Sequence, residues 1–256
     1  MYLITYCDFP KNCLGLYDSN FEFVKWIEGF KNIRNGLRGI GSTGTQGKAG
    51  RGYVTVSESN IYFLNNKLEL VETLEDRVVD GHGIFVYNVN NWIYIVSTGE
   101  NSIKVYNYYF EQIIADFYPY LPKEAHINSI HNNYITVHNR DNEGYIIKAQ
   151  GGHSFVALRG LSQPHDFQIH PFGWIVNNSG KNEVICSKVP IEKSWVVKTA
   201  YYNRGLLVED NKIIVLSGER HDPANEVLIL DYDGNTLLRK QLIGNERGCP
   251  YGIVKI

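Results

Sequence analysis

Helical periodicity is nearly absent from this 256-residue chain, which points away from helical fold classes. Long apolar runs are missing too. No stretch approaches the roughly 20 residues a membrane-spanning helix needs, so no membrane partner is expected. Neither sign of charge dominates: the formal net charge of −2 gives no bulk attraction to nucleic acid or to acidic membranes. Cysteine is scarce, and the four thiols (Cys7, Cys13, Cys186, Cys249) do not suggest a disulfide framework in a chain this long. Cys7 and Cys13, in CDFPKNC, lack a zinc-ligand spacing, so reduced structural thiols are expected. The opening residues MYLITYCDF lack the basic region and small-residue cleavage site of a secretory signal, which predicts a cytoplasmic protein.

What is present is strand chemistry. Hydrophobic residues make up 43% and charged residues 20%, enough for a proper core, and the 18 tyrosines favour strands. Short alternating runs such as NWIYIVSTG, SIKVYN, YITVHNR, NKIIVLSG and EVLILDY are bounded by Gly, Asn, Asp or Ser. Many short strands with frequent turn signals mean a sandwich, a barrel or a propeller, and internal repeats decide among these.

The repeat is anchored by a polar residue that opens a strand. His82-Gly83-Ile84, Arg204-Gly205-Leu206, Tyr251-Gly252-Ile253 and Arg38-Gly39-Ile40 share one form, and His126-Ile127-Asn128 and His165-Asp166-Phe167 are looser copies. The anchors 38, 82, 126, 165, 204 and 251 are spaced by 44, 44, 39, 39 and 47 residues, and the remaining 43 close the circle, so all 256 residues are used. Such intervals suit one four-stranded blade each. The clearest blade reads GIFVYN, NWIYIVST, SIKVYNY and EQIIADFY, and the next reads INSIHN, YITVHNR, GYIIKAQ and HSFVALRG. The sequence therefore predicts an all-β, six-bladed propeller, one domain over residues 1–256. Its ring closes by pairing a C-terminal strand (250–256) with an N-terminal strand (1–7), which removes exposed sheet edges.

Ser97-Thr98-Gly99-Glu100-Asn101 and Asn178-Ser179-Gly180-Lys181-Asn182 repeat a turn pattern between second and third strands, and Ser217-Gly218-Glu219 begins a longer version. With the His-Gly-Ile strand starts, these turns resemble the NHL-type repeats and their six-bladed relatives. That group includes gluconolactonase-like proteins, virginiamycin B lyase and the peptidyl-hydroxyglycine amidating lyase.

Strand starts in a propeller gather beside the central axis, so the six anchors are expected to form a ring at one tunnel mouth, with the following glycine allowing backbones to crowd. None of the six is aliphatic. His82, His126 and His165, from consecutive blades, are candidate ligands for a divalent metal such as zinc, manganese or magnesium. Arg38 and Arg204 supply fixed charge for an anionic group, and Tyr251 is a candidate acid, base or oxyanion donor. Asp80, Glu124 and Gln163 each precede a histidine by two residues and could orient it. Cys249 holds the equivalent place before Tyr251, and Asp166 is a further nearby carboxylate.

The resemblance adds a reaction style. The amidating lyase uses zinc held by three histidines, with arginine and tyrosine serving the chemistry, and virginiamycin B lyase breaks a bond by elimination. Read from the ring itself, the candidate metal ligands are His82, His126 and His165, and the candidate catalytic residues are Tyr251, Arg38, Arg204 and His82. Arg38, Arg204, Asp166, Arg220 and His221 would contact the substrate. This chain departs from the pattern in carrying its histidines on neighbouring blades. The expected function is a metal-assisted lyase, less favourably a hydrolase, acting on a small anionic molecule. The alternative is a non-catalytic propeller scaffold that binds a ligand or protein, using the same face or outer aromatics such as Tyr108-Tyr109-Phe110. Oligomeric state is left open.

Other signals are weaker. Arg220-His221-Asp222-Pro223 lies in a loop on the same face and could cap the site. His138, Arg140 and Asp141 read as a solvated loop, and His131, His153 and His170 as surface or core histidines. The glycine-rich segment Gly39–Gly52 contains Lys48 followed by Ala49, not the GK[ST] of a phosphate loop, and reads as a connection between strands.

Overall fold

A computed structural model describes residues 1–31, 33–44, 50–107, 112–117, 125–139, 141–150, 153–189, 192–209, 211–220, 224–242 and 248–256. The strands form six antiparallel four-stranded sheets. The first blade combines β24 (Cys249–Lys255) with β1 (Tyr2–Cys7), β2 (Leu14–Tyr17) and β3 (Phe23–Trp26). The second holds β4 (Ile40–Ser42), β5 (Arg51–Val56), β6 (Ile61–Asn65) and β7 (Leu70–Leu74), and the third holds β8 (Gly81–Tyr87), β9 (Trp92–Ser97), β10 (Ser102–Asn107) and β11 (Gln112–Phe117). The fourth runs through β12 (His126–His131), β13 (Tyr134–His138), β14 (Glu143–Gln150) and β15 (His153–Ser162). The fifth comprises β16 (Pro164–His170), β17 (Gly173–Asn178), β18 (Glu183–Val189) and β19 (Glu192–Lys198). The sixth comprises β20 (Asn203–Glu209), β21 (Lys212–Gly218), β22 (Asn225–Leu230) and β23 (Thr236–Gln241).

The innermost strands β4, β8, β12, β16, β20 and β24 contact one another in a closed circle. The fold is a six-bladed β-propeller. Ring closure follows the expected pairing, with Tyr2 opposite Lys255, Ile4 opposite Ile253 and Cys7 opposite Cys249.

Apolar burial explains why the blades stand against each other. Among the described residues, the six larger core clusters each lie between two neighbouring blades: Val54, Val56 and Phe63 meet Ile93, Ile95 and Tyr106, and Tyr6 and Tyr17 meet Ile214, Leu216 and Val227. Middle strands are therefore buried on both faces, as in the unbroken run of β1, whereas outer strands such as β23 alternate with solvent. The predicted turns also have a local cause. Thr98–Glu100 and Ser179–Lys181 each make one 3-10 turn, ended by Asn101 and Asn182 in the left-handed region, which asparagine tolerates best after glycine.

Crowding at the axis bears out the reading of the strand-start glycines. A Cβ on Gly39 would sit 2.4 Å from the His82 carbonyl oxygen, and one on Gly83 would sit 2.8 Å from that of Asn128. Gly205 and Gly252 meet the carbonyls of Tyr251 and Arg38 in the same way. The glycine-rich segment joins β4 to β5, as expected, with residues 45–49 outside the described set.

Candidate functional site

All six anchors line one cavity of about 470 Å³ at the tunnel mouth. Four of them are almost fully buried: His82, His165, Arg204 and Tyr251 expose 5–8% of their surface. Backbone irregularity helps to aim them. The first strand of the third, fourth, fifth and sixth blades slips register at Gly81/Ile84, Ile127/Ser129, Pro164/Phe167 and Asn203/Gly205, and the β1–β24 pair slips between Ile4 and Tyr6. A bulge at a strand start kinks the chain and re-aims a side chain, here toward the axis. Arg38 reaches the same place from just ahead of β4.

The histidines form a chain of rings. His82 meets His126 edge-on at 4.9 Å, His126 lies 4.6 Å from His138, and His138 lies 6.4 Å from His165. Tyr251 touches both ends, 5.9 Å from His82 and 6.1 Å from His165. His138 corrects the sequence reading, which put it on a solvated loop: it ends β13 directly opposite His126 and lines the cavity. Its signal was there in the register, since a residue paired with an anchor shares the anchor's surroundings.

Two of the three residues expected to orient histidines do so through their backbones. Asp80 and Gln163 have φ of 54° and 45°, an uncommon conformation for non-glycine residues, and their carbonyls lie 2.9 and 3.1 Å from Nδ1 of His82 and His165. A carbonyl only accepts, so His165 Nδ1 carries the proton and its Nε2 keeps the lone pair, whereas His82 Nδ1 faces both the Asp80 carbonyl and, at 3.1 Å, Arg38 Nη1, which only donates. Thr98 Oγ1, 3.0 Å from His82 Nδ1, donates its own proton to the Ile127 carbonyl and serves as a second acceptor. Glu124, the third such residue, lies outside the described residues.

Burial holds these imidazoles neutral. It pushes His82 well below the ordinary histidine value, helped by the charge of Arg38, and pushes His165 the same way, helped by Arg204. Burial also lowers His126, against an opposing pull from Asp80, and lowers His138 to about 4. Tyr251 goes up through burial, so its hydroxyl stays protonated and acts as a donor.

The two arginines differ. Arg38 forms an ion pair with Asp80 and donates to the Gly81 carbonyl at 3.0 Å. Burial works against its charge, but the Asp80 carboxylate outweighs that and raises the guanidinium further. Arg204 forms no ion pair among the described residues. Its guanidinium stacks over the Tyr202 ring at 4.7 Å, and its Nη1 has no hydrogen-bond partner. The Tyr251 hydroxyl, in the same cavity, also lacks one. Burial opposes the Arg204 charge, while the sulfurs of Cys7 and Cys249 and the Asp8 carboxylate support it, and the net direction is upward.

Among the described residues, the group fit to hold a metal is Asp80, His82 and His126, whose ligand atoms lie within 4.8 Å of one another. Asp80 thus stands where His165 was expected. His165 lines the same cavity nearer to Tyr202, 5.1 Å between ring centroids, and to Arg204. Two imidazoles and a carboxylate are a donor set suited to zinc or manganese. Tetrahedral ligands at metal distances stand about 3.3 Å apart, so the three side chains would have to draw together modestly. Asp80 would also share its carboxylate with Arg38.

The remaining expected residues divide. Arg220 lines the rim, 65% exposed, and pairs with Asp8 at 3.3 Å. His221, Arg140 and Tyr108-Tyr109-Phe110 lie outside the described residues. Asp166 lines a second cavity of about 240 Å³ inside the tunnel, not the mouth. Its carboxylate accepts from the amides of Phe167 (2.8 Å) and Leu206 (3.1 Å), bracing the fifth blade against the sixth. Burial raises it to about 7 despite those bonds. His131 packs against Phe85 at 4.8 Å, and His170 against Phe172 at 4.2 Å, away from the mouth.

No family model matches this sequence, and no curated protein does. Solved structures do. The chain is similar to one in a crystal structure of a nidogen/laminin complex, with 11% identity, a TM-score of 0.71, and coverage of 99% of this chain and 97% of the other. It is also similar to a functionally unknown protein from Desulfotomaculum acetoxidans DSM 771, with 13% identity, a TM-score of 0.57, and coverage of 91% and 78%. Likeness at these identities shows the fold alone. Among the described residues, no helix is long and apolar enough to cross a membrane.

Proposed function

We propose that the tunnel mouth is the active site of a metal-assisted lyase acting on a small anionic molecule. The observation that carries this reading is a pair of buried donors, Arg204 Nη1 and the Tyr251 hydroxyl, without partners in the same cavity as Asp80, His82 and His126. A buried guanidinium nitrogen that donates to nothing is costly even with the Asp8 carboxylate and the Cys249 sulfur nearby, and an anionic group placed against it removes that cost.

In this scheme Arg204 holds the substrate's anionic group and Tyr251 donates a hydrogen bond to it. Asp80, His82 and His126 would hold a divalent cation, zinc or manganese before magnesium, which when bound would polarise a carbonyl or leaving-group oxygen. His165 stays outside that group with Nε2 unprotonated, so it takes the proton. The C–H electron pair then forms the new double bond, and the leaving group departs with its own pair. Anion binding beside Arg204 would offset the charge that depresses His165 and raise it toward a useful base. The kinship to lyases of the NHL type rests on the short strand-start and turn motifs and on this inventory of residues.

The test is metal analysis of untagged protein, followed by titration of Zn2+ and Mn2+ into wild type, Asp80→Asn and His126→Ala, with inorganic phosphate as anion probe. Metal binding lost in both variants, with phosphate binding lost in Arg204→Met, supports the reading. A protein that binds neither metal nor phosphate overturns it. The competing reading, a scaffold that binds a protein partner, has one observation in its favour: a similar propeller was solved in a nidogen/laminin complex.

A further inference from the structure

Two of the four cysteines meet at the seam that closes the ring. Cys7 ends β1, Cys249 begins β24, and the two are register partners across the antiparallel pair that joins residues 249–255 to the first blade. They are the only two of the four thiols placed opposite one another: Cys13 bonds the Phe9 carbonyl at 3.3 Å, and Cys186 stands opposite Ile175 and Trp195. All four are free thiols, and Cys7, Cys249 and Tyr251 form a buried cluster of their own. Facing residues of an antiparallel pair hold their Cβ atoms about 4.5–5.5 Å apart, close to what a disulfide spans. The Cys7 thiol donates to Asp8 Oδ2 at 3.1 Å.

Access and reactivity are split between them. Cys7 lines the mouth cavity and Cys249 lies behind it. The Cys249 thiol is lowered by its contact with Cys7 and by the neighbouring Arg204, while Cys7 is raised by that same contact and by burial. The reachable sulfur is thus backed by a sulfur that is easily deprotonated, the arrangement of an attacked and a resolving thiol.

We propose that Cys7 and Cys249 form a reversible disulfide, made by exchange with a small-molecule disulfide admitted at the tunnel mouth, which latches the propeller ring covalently. In the first step Cys7 Sγ attacks the small disulfide as its proton passes to Asp8 Oδ2, bonding to one sulfur and expelling the other as a thiolate. Cys249 then attacks Cys7 Sγ, forms the internal bond and expels the second small thiolate. Two protein thiols are oxidised, one small disulfide is reduced to two thiols, and the two protons leave on them. The latch spans almost the whole chain, so it restricts the unfolded state strongly and opposes opening of the β1–β24 seam. It operates whether or not the mouth binds an anion.

The test treats the folded full chain with oxidised glutathione, then maps unreduced peptides by mass spectrometry and measures Tm. The expected result is a loss of about 2 Da, one Cys7–Cys249 crosslink, and a Tm rise of about 5 °C or more that reductant reverses. Crosslinking should vanish in Cys7→Ser and Cys249→Ser and persist in Cys13→Ser and Cys186→Ser. Should Cys249→Ser fail to fold, the wild-type peptide map decides alone. Thiols that stay reduced, a lasting glutathione adduct on Cys7, or a crosslink to Cys13 or Cys186 would each overturn the proposal.

Discussion

Replacing Arg204 by methionine separates a binding arginine from a structural one. The side chain is 95% buried, and among the described residues it has no ion pair. Opposing terms bear on stability. Losing the stack over Tyr202 costs about 0.5–2 kcal/mol, and the attraction of the Asp8 carboxylate and the Cys249 sulfur goes with it, while removing a buried cation relieves a desolvation penalty of several kcal/mol. The opposing terms nearly cancel, so the variant is expected to fold within about 2 kcal/mol of wild type, a small change for a buried charged residue. Binding should move the other way. A charge-assisted hydrogen bond contributes about 1.5–3 kcal/mol, so phosphate affinity should fall by roughly 10- to 150-fold. Urea denaturation at pH 7, with and without phosphate, reads both. Phosphate at 100 times the wild-type Kd should add about 2.7 kcal/mol to wild type and only about 0.3–1.4 kcal/mol to the variant. If Arg204→Met instead loses more than about 2 kcal/mol without ligand while phosphate stabilisation persists, the guanidinium is structural and the anion-site reasoning fails.

Tyr251→Phe removes a hydroxyl that has no partner, so stability should hold within about 0.5 kcal/mol while phosphate binding weakens several-fold, read by calorimetry. Gly39→Ala should destabilise by about 1–3 kcal/mol in denaturant unfolding, because its Cβ would meet the backbone of His82 and Ile84 at 2.4 and 2.8 Å. Acid should weaken the fold through His131, which burial lowers to about 4. Below pH 6.5 the unfolded state takes a proton that the native ring refuses, so stability falls by up to about 1.4 kcal/mol per pH unit down to about pH 4. Asp166, raised to about 7, works in the opposite sense, so the clean readout is the difference between wild type and His131→Gln, which should have the flatter profile.

The fold was legible because its repeat is carried by local chemistry. Alternating strands, asparagines that end the inter-strand turns, and glycines where backbones crowd are each dictated by a residue and its immediate neighbours. Their spacing counted the blades and located the closing strand within a residue. The ring of six anchors followed from the same count, since any residue at a first-strand start must stand near the axis.

What the sequence could not decide is how those six divide their work. Arg38 and Arg204 look alike in the repeat, yet one is neutralised by Asp80 from the next blade and the other keeps an Nη1 without a hydrogen-bond partner. His126, His138 and His165 were separable only once bulges and cross-strand register had turned each ring. The Cys7–Cys249 pairing needed the ring to close before two residues at opposite ends of the sequence could face each other. Strand identity and blade number are set by interactions within a few residues. Charge pairing and side-chain direction at the axis are set by distances between blades, and those distances exist only after folding.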